Sequence, residues 1–149
     1  MKAVKSRNNK TTEIRLLQFF QEHGIKGWRR QYKVKGHPDF VFMTSRIAIF
    51  VDGCFWHGHD CRNTRPEHNK EFWEAKRQRN IQHDAEITAK FESRGWTVIR
   101  IWECELKKNN IAILFKKLEP IIEQQELFPM QKQIIYSSKN LLKKQFLIF

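Results

Sequence analysis

The chain has little cysteine, few acidic residues for its number of bases, and no long apolar run. Its three cysteines, Cys54, Cys61 and Cys104, are odd in number and scattered, which excludes a fully paired disulfide framework. No stretch reads as a membrane span, and no apolar signal segment precedes the charged start MKAVKSRNNK. The expected setting is therefore reducing, intracellular and cytoplasmic, with no membrane partner. Sixteen Asp and Glu stand against 28 Lys and Arg, a formal charge of +12. Such an excess favours a polyanion held by phosphate contacts and counterion release, and nucleic acid is the natural candidate. The bases are spread through WRRQYKVK, AKRQRN and LKKNN rather than gathered on one amphipathic helix, which argues against a membrane surface. There is no internal repeat. With 149 residues, 40% apolar and including twelve Phe and five Trp, the chain can fill one domain core.

What the chain does have is concentrated between Phe50 and Cys61, FVDGCFWHGHDC. Cys54, His59 and Cys61 follow the pattern C-x4-H-x-C, and Cys104 closes the apolar segment Thr97 to Trp102. These four side chains make a Cys3His set able to enclose Zn²⁺ in a closed tetrahedron, the signature of a structural site. The alternative is that Cys104 is a small buried apolar residue and the other two are free thiols.

Local patterns predict the elements around this segment. Thr12 can cap a helix that runs to His23, with Glu13 on the same face as Leu16, Leu17 and Phe20, and Gly24 at its C-terminal end. Trp28 to Val34 reads as a strand. Phe40 to Met43 and Ile47 to Val51 read as a hairpin buried on both faces. A helix follows from Pro66 to Gly95, then a strand from Thr97 to Trp102, then a helix from about Asn109 to Gln124 that Pro120 is expected to kink or end early. This order predicts an α/β fold, an αβα sandwich around a small mixed sheet.

Pairing of the hairpin strands would bring Asp39 and Asp52 to one edge of the sheet. Two carboxylates together on a basic protein suit Mg²⁺, which prefers oxygen donors and bridges to substrate phosphate. His57 lies within reach of that edge and can exchange a proton near neutral pH. Read singly, Asp39 is a turn residue after Pro38, and His57 is a surface imidazole.

PDF at Pro38 to Phe40, GCFWHGHDC at Gly53 to Cys61, EFW at Glu71 to Trp73, FWEAKRQRNIQHD at Phe72 to Asp84 and WEC at Trp102 to Cys104 resemble the very short patch repair (Vsr) endonuclease family, in order and spacing, over residues 11 to 120. The resemblance implies a restriction-endonuclease-like fold with a structural zinc site, and Mg²⁺-dependent nicking of duplex DNA beside a T:G mismatch. It implies that Asp39 is the central Mg²⁺ ligand, that Val51 offers its carbonyl, that His57 is a catalytic histidine and that Glu13 assists. Cys54, His59, Cys61 and Cys104 fall on the family's zinc ligands. Phe55, Trp56 and Trp73 fall on aromatics that wedge into the base stack, where unstacking is easiest at an already weakened step. Packing both Phe55 and Trp56 into one core is disfavoured if they lie on a strand, where neighbours face opposite ways.

The chain departs from the family pattern at Asp52, where a second catalytic histidine is found in the best-studied member. As a carboxylate it could join Asp39 on Mg²⁺, and His57 would then cover the missing acid or base function. Lys76 and Asn80 are candidate DNA contacts, though a solvated helical face explains them equally well. The domain reading is a basic, flexible N-terminus at 1–10, a Vsr-like endonuclease domain at 11–125, and an apolar extension at 126–149 that packs on the body or on a partner protein. Two alternatives stand beside mismatch nicking: a Vsr-like restriction or defence endonuclease cutting matched DNA, and a non-catalytic zinc-containing nucleic-acid-binding module.

Overall fold

A computed structural model describes residues 12–61 and 66–125. The expected N-terminal arm at 1–10 and the apolar extension at 126–149 lie outside the described residues. The chain divides into two units, residues 1–117 and 118–149.

Helix α1 is Glu13–Glu22, followed by strands β1 Trp28–Arg30, β2 Phe40–Phe42 and β3 Ile47–Asp52, helix α2 Lys70–Glu92 and strand β4 Thr97–Trp102. The strands form one mixed sheet in the order β1-β2-β3-β4, with β1/β2 and β2/β3 antiparallel and β3/β4 parallel. In β3 five of six residues are buried and Val51 is half-buried, as expected of a strand covered on both faces. Alternation assigns the faces. Phe40 and Phe42 meet Phe20 of α1 at centroid distances of 5.1 and 5.8 Å. Val41, Ala48 and Phe50 pack on the other side against Ile87 and Phe91 of α2. The sheet is thus layered between α1 and α2.

Three boundaries differ from the pattern reading. Thr12 stands at the N-cap of α1, yet its side chain makes no capping hydrogen bond. Strand β1 stops at Arg30 rather than Val34, because Gln31 turns out of the sheet with φ 50° and releases residues 31–39 as a loop. Residues 111–125 are helical, so Pro120 does not end the last helix, although it removes one backbone donor. The start of that helix packs on α1 through Phe115, 5.1 Å from Phe19 and 4.9 Å from His23. Among the described residues no helix is long and apolar enough to cross a membrane.

Candidate active site and metal centre

The parallel pairing of β3 and β4 builds the metal centre. Asp52 lies opposite Trp102, so the two strands end side by side. Cys54 lies two residues past one end, and Cys104 two residues past the other, in a short 3-10 turn, Glu103–Leu106. Between Gly53 and His59 the chain folds back on itself through Trp56 N–H and His57 N–H to Gly53 O at 3.1 and 3.2 Å, and His59 N–H to Cys54 O at 3.0 Å. The His59 ring lies flat on Trp102, 4.5 Å between centroids and 9° from parallel. Its Nδ1 is 3.6 Å from Cys104 Sγ.

The ligand atoms of Cys54, His59, Cys61 and Cys104 all lie within 4.8 Å of one another. A tetrahedron with metal–sulfur bonds of about 2.3 Å has edges of roughly 3.8 Å, so this set fits a metal ion such as Zn²⁺. Burial, and then the neighbouring thiols, push the Cys54 thiol up to about 12, and burial likewise raises Cys104. A dication at the centre would reverse that preference and hold the sulfurs as thiolates.

The turn is pinned to α2 at several points. Gly58, at φ +79°, passes so close to the helix that a Cβ there would lie 2.5 Å from Ile81 Cδ1, a position only glycine tolerates. Asn80 donates its amide to Trp56 O at 2.7 Å, and Arg77 donates to Asp60 at 2.9 Å. Asn80, expected as a DNA contact, therefore uses its amide to hold the turn. Phe55 and Trp56 lie on this turn and not on a strand, so both rings share one half-buried cluster with Trp73. Their centroids are 4.9 Å apart, and each lies 5.7 Å from Trp73. Lys76 Nζ sits 4.9 Å from the Trp56 ring centre, a cation–π contact.

Asp39 sits immediately before β2 and is locked to β3 twice. Its N–H donates to Ile49 O at 2.9 Å, and its Oδ2 accepts from Val51 N–H at 2.7 Å. Burial foremost raises its carboxyl to about 7; the Val51 N–H pulls it down, while Glu13 and Asp52 push it up. Glu13, buried on α1, accepts from Arg30 Nε and Nη2 at 2.9 and 2.7 Å. Glu13 and Asp39 open into a cleft of about 860 Å³, whose wall includes Gln31, Lys33, Lys35 and His37 from the 31–39 loop. A carboxyl held near half-protonation between two other acids, on the wall of a basic cleft, is a donor set that a divalent cation would relieve.

Asp52 and His57 belong to a second cluster that includes two residues to which the sequence reading gave no role, Asp84 and Arg100. His57 Nδ1 is 2.5 Å from Asp84 Oδ2 and 3.7 Å from Asp52 Oδ1. Arg100 Nη1 donates to Asp52 Oδ2 at 2.6 Å. Burial raises the Asp52 carboxyl, partly offset first by Arg100 and then by His57. Burial opposes protonation of His57, yet the hydrogen bond to Asp84 and the charges of Asp52 and Asp84 outweigh it, so its pKa is raised. Asp52, expected to join Asp39 on Mg²⁺, thus has one oxygen on a guanidinium and the other facing an imidazole. Asp84 was legible in principle: Trp73, Lys76, Asn80 and Asp84 are spaced by 3, 4 and 4 residues, one face of α2. Arg100 announced itself as the single charge in the apolar strand TVIRIW.

A family model described as DNA mismatch endonuclease Vsr matches residues 1–63. The Type II nicking enzyme V.NmeDIP of Neisseria meningitidis serogroup C is 35% identical over 133 residues, covering 88% of this chain and 89% of that protein. The Type II nicking enzyme V.XorIIP of Xanthomonas oryzae pv. oryzae is 32% identical over 124 residues, 83% and 89% of the two chains. The DNA mismatch endonuclease Vsr of Escherichia coli (strain K12) is 33% identical over 108 residues, 72% and 69%.

Proposed function

The chain belongs to the Vsr family of DNA endonucleases, and from that premise we propose that it nicks one strand of duplex DNA beside a T:G mismatch, with Mg²⁺ held at Asp39 and a restriction-endonuclease-like fold carrying the site. The observation that carries the reading is the pair of carboxyls Asp39 and Glu13 on the wall of one cleft, with Asp39 raised to about 7 by burial and by the charges of Glu13 and Asp52. Asp39 and the Val51 carbonyl would hold the ion. The chemistry such an ion would supply there is neutralisation of charge on the phosphate and a more acidic water.

The protein's own groups supply the rest. Asp84 accepts a hydrogen bond from His57 Nδ1–H, which fixes the tautomer and leaves Nε2 to exchange a proton. Against the opposing effect of burial, the carboxylates facing Nδ1 raise the pKa of His57, and Nε2–H would donate to the departing 3′-oxygen. Asp52, paired with Arg100, faces the same Nδ1 at 3.7 Å and adds a second negative charge beside the imidazolium. Glu13, tethered by Arg30, keeps the cleft negative where a cation is needed. Phe55, Trp56 and Trp73 present the apolar surface that would enter the base stack, with Lys76 beside them for a phosphate. Zn²⁺ in the Cys3His centre would hold the turn that carries His57 and these rings.

Asp84→Asn is expected to lower the single-turnover nicking rate on the order of 10²-fold, as loss of a well-placed general acid does, with duplex affinity unchanged. Quench-flow on an end-labelled substrate measures the first, and anisotropy without metal the second; a wild-type rate would remove Asp84 from the mechanism.

The whole reading is tested on matched duplexes and duplexes with one T:G pair, with Mg²⁺ or chelator, each strand labelled separately. A metal-dependent nick in one strand at the mismatch is expected. Cutting of matched DNA would replace mismatch repair by a restriction or defence role.

A further inference from the structure

We propose that Arg100 is a positioning residue of the nicking reaction: its guanidinium fixes both of the carboxylates that hold His57. The proposal rests on the reading of His57 as the proton donor and adds how that donor is kept in place. Three edges of the guanidinium are used. Nη1 donates to Asp52 Oδ2 at 2.6 Å, Nη2 donates to the Asp84 main-chain oxygen at 3.2 Å, and Nε donates to Thr88 Oγ1 at 3.2 Å. Nη2 also lies 3.4 Å from Asp84 Oδ1. The remaining oxygens, Asp52 Oδ1 and Asp84 Oδ2, are the two that face His57 Nδ1. One rigid fork therefore ties the end of β3 to the middle of α2 and aims a carboxylate from each at the same imidazole.

The fork itself has little freedom. Arg100 is paired with Phe50 across the parallel strands, and its guanidinium carbon sits 4.8 Å above the Phe50 ring centre. Arginine suits this place because its planar donors reach several acceptors at once, which the single ammonium of lysine cannot do.

The test compares wild type, Arg100→Lys and the double variant Arg100→Met/Asp52→Asn, which removes a buried charge pair together and so leaves no unpaired ion. Single-turnover nicking with Mg²⁺ is measured against duplex affinity. Arg100→Lys is expected to bind DNA as wild type does and to cut on the order of 10²-fold more slowly, the effect of misplacing a reacting group by about 1 Å. The double variant is expected to stay slow although folded. A wild-type rate in Arg100→Lys overturns the proposal. So does recovery of the wild-type rate in the double variant, since the guanidinium would then merely neutralise Asp52. A readout free of catalysis runs in parallel: the His57 Nδ1 proton in ¹⁵N-edited NMR spectra, held by Asp84 in wild type and lost to exchange in both variants. If the wild type cuts no duplex, the functional reading fails, and that proton alone decides the positioning: its persistence in the variants overturns the proposal, and its loss upholds it.

Discussion

Asp39→Ala is expected to abolish nicking while the protein keeps its grip on DNA. The expected loss is on the order of 10³-fold or more, about 4 kcal/mol of barrier, because the variant removes the carboxylate proposed to hold the ion. Affinity for the duplex stays level or rises, since a negative charge is withdrawn from a cleft that must accept phosphate. The same variant has a signature without substrate. In the folded chain Asp39 is raised from 3.8 to about 7, so between these values the folded state holds more protons than the unfolded one. Wild-type stability therefore falls as pH rises through that window, and alanine carries no such penalty. Losing the Asp39 acceptor for Val51 N–H costs the variant a constant amount at every pH. In chelator, the melting temperature of Asp39→Ala should accordingly gain on wild type from about pH 4 to pH 7 and then level off. Retained nicking would remove Asp39 from the metal site; a pH-independent gap in melting temperature would show that its carboxyl is not crowded.

The sequence announced the parts of this site that obey a local rule. The C-x4-H-x-C spacing marked three members of the cluster able to hold a metal ion, and the apolar run ending at Cys104 marked the fourth. The strand Thr97–Trp102 and the hairpin were legible because their apolar runs are short and continuous. Residues 31–34 were not: Tyr32 and Val34 look like strand residues, but one left-handed backbone at Gln31 sends them out of the sheet to pack beside α2. The contacts of Asp52 and Asn80 were illegible for a different reason. Each is set by a partner distant in sequence, Arg100 for one and the Trp56 carbonyl for the other, and periodicity carries no information about pairing across such distances. Phe55 and Trp56 were read on a strand's alternation; the fold-back at Gly53, with two N–H groups on one carbonyl, is what lets both rings face the same way.

Loss of one zinc ligand should be as damaging as loss of Asp39, by a different route. The wild-type chain is expected to hold about one tightly bound zinc by elemental analysis, and Cys104→Ser to hold none. Structural zinc binding in small domains is worth roughly 10–16 kcal/mol near neutral pH, as large as the whole stability of an ordinary domain, so the variant cannot keep the turn in place by packing alone. Cys104 is the informative choice because it lies past β4, far in sequence from the turn, and touches His59 at 3.6 Å. Cys54, by contrast, is 2% exposed, and replacing it would also disturb the core. The turn between Cys54 and Cys61 carries His57, Phe55 and Trp56, so its release should remove the proton donor and the aromatic cluster together. Nicking and mismatch affinity then fall in parallel, unlike Asp39→Ala, where only nicking falls. That divergence would separate the roles proposed for the two ions, one in the reaction and the other in the surface on which the reaction is arranged. A zinc-free Cys104→Ser that melts and nicks as wild type does would reduce the four-ligand cluster to packing.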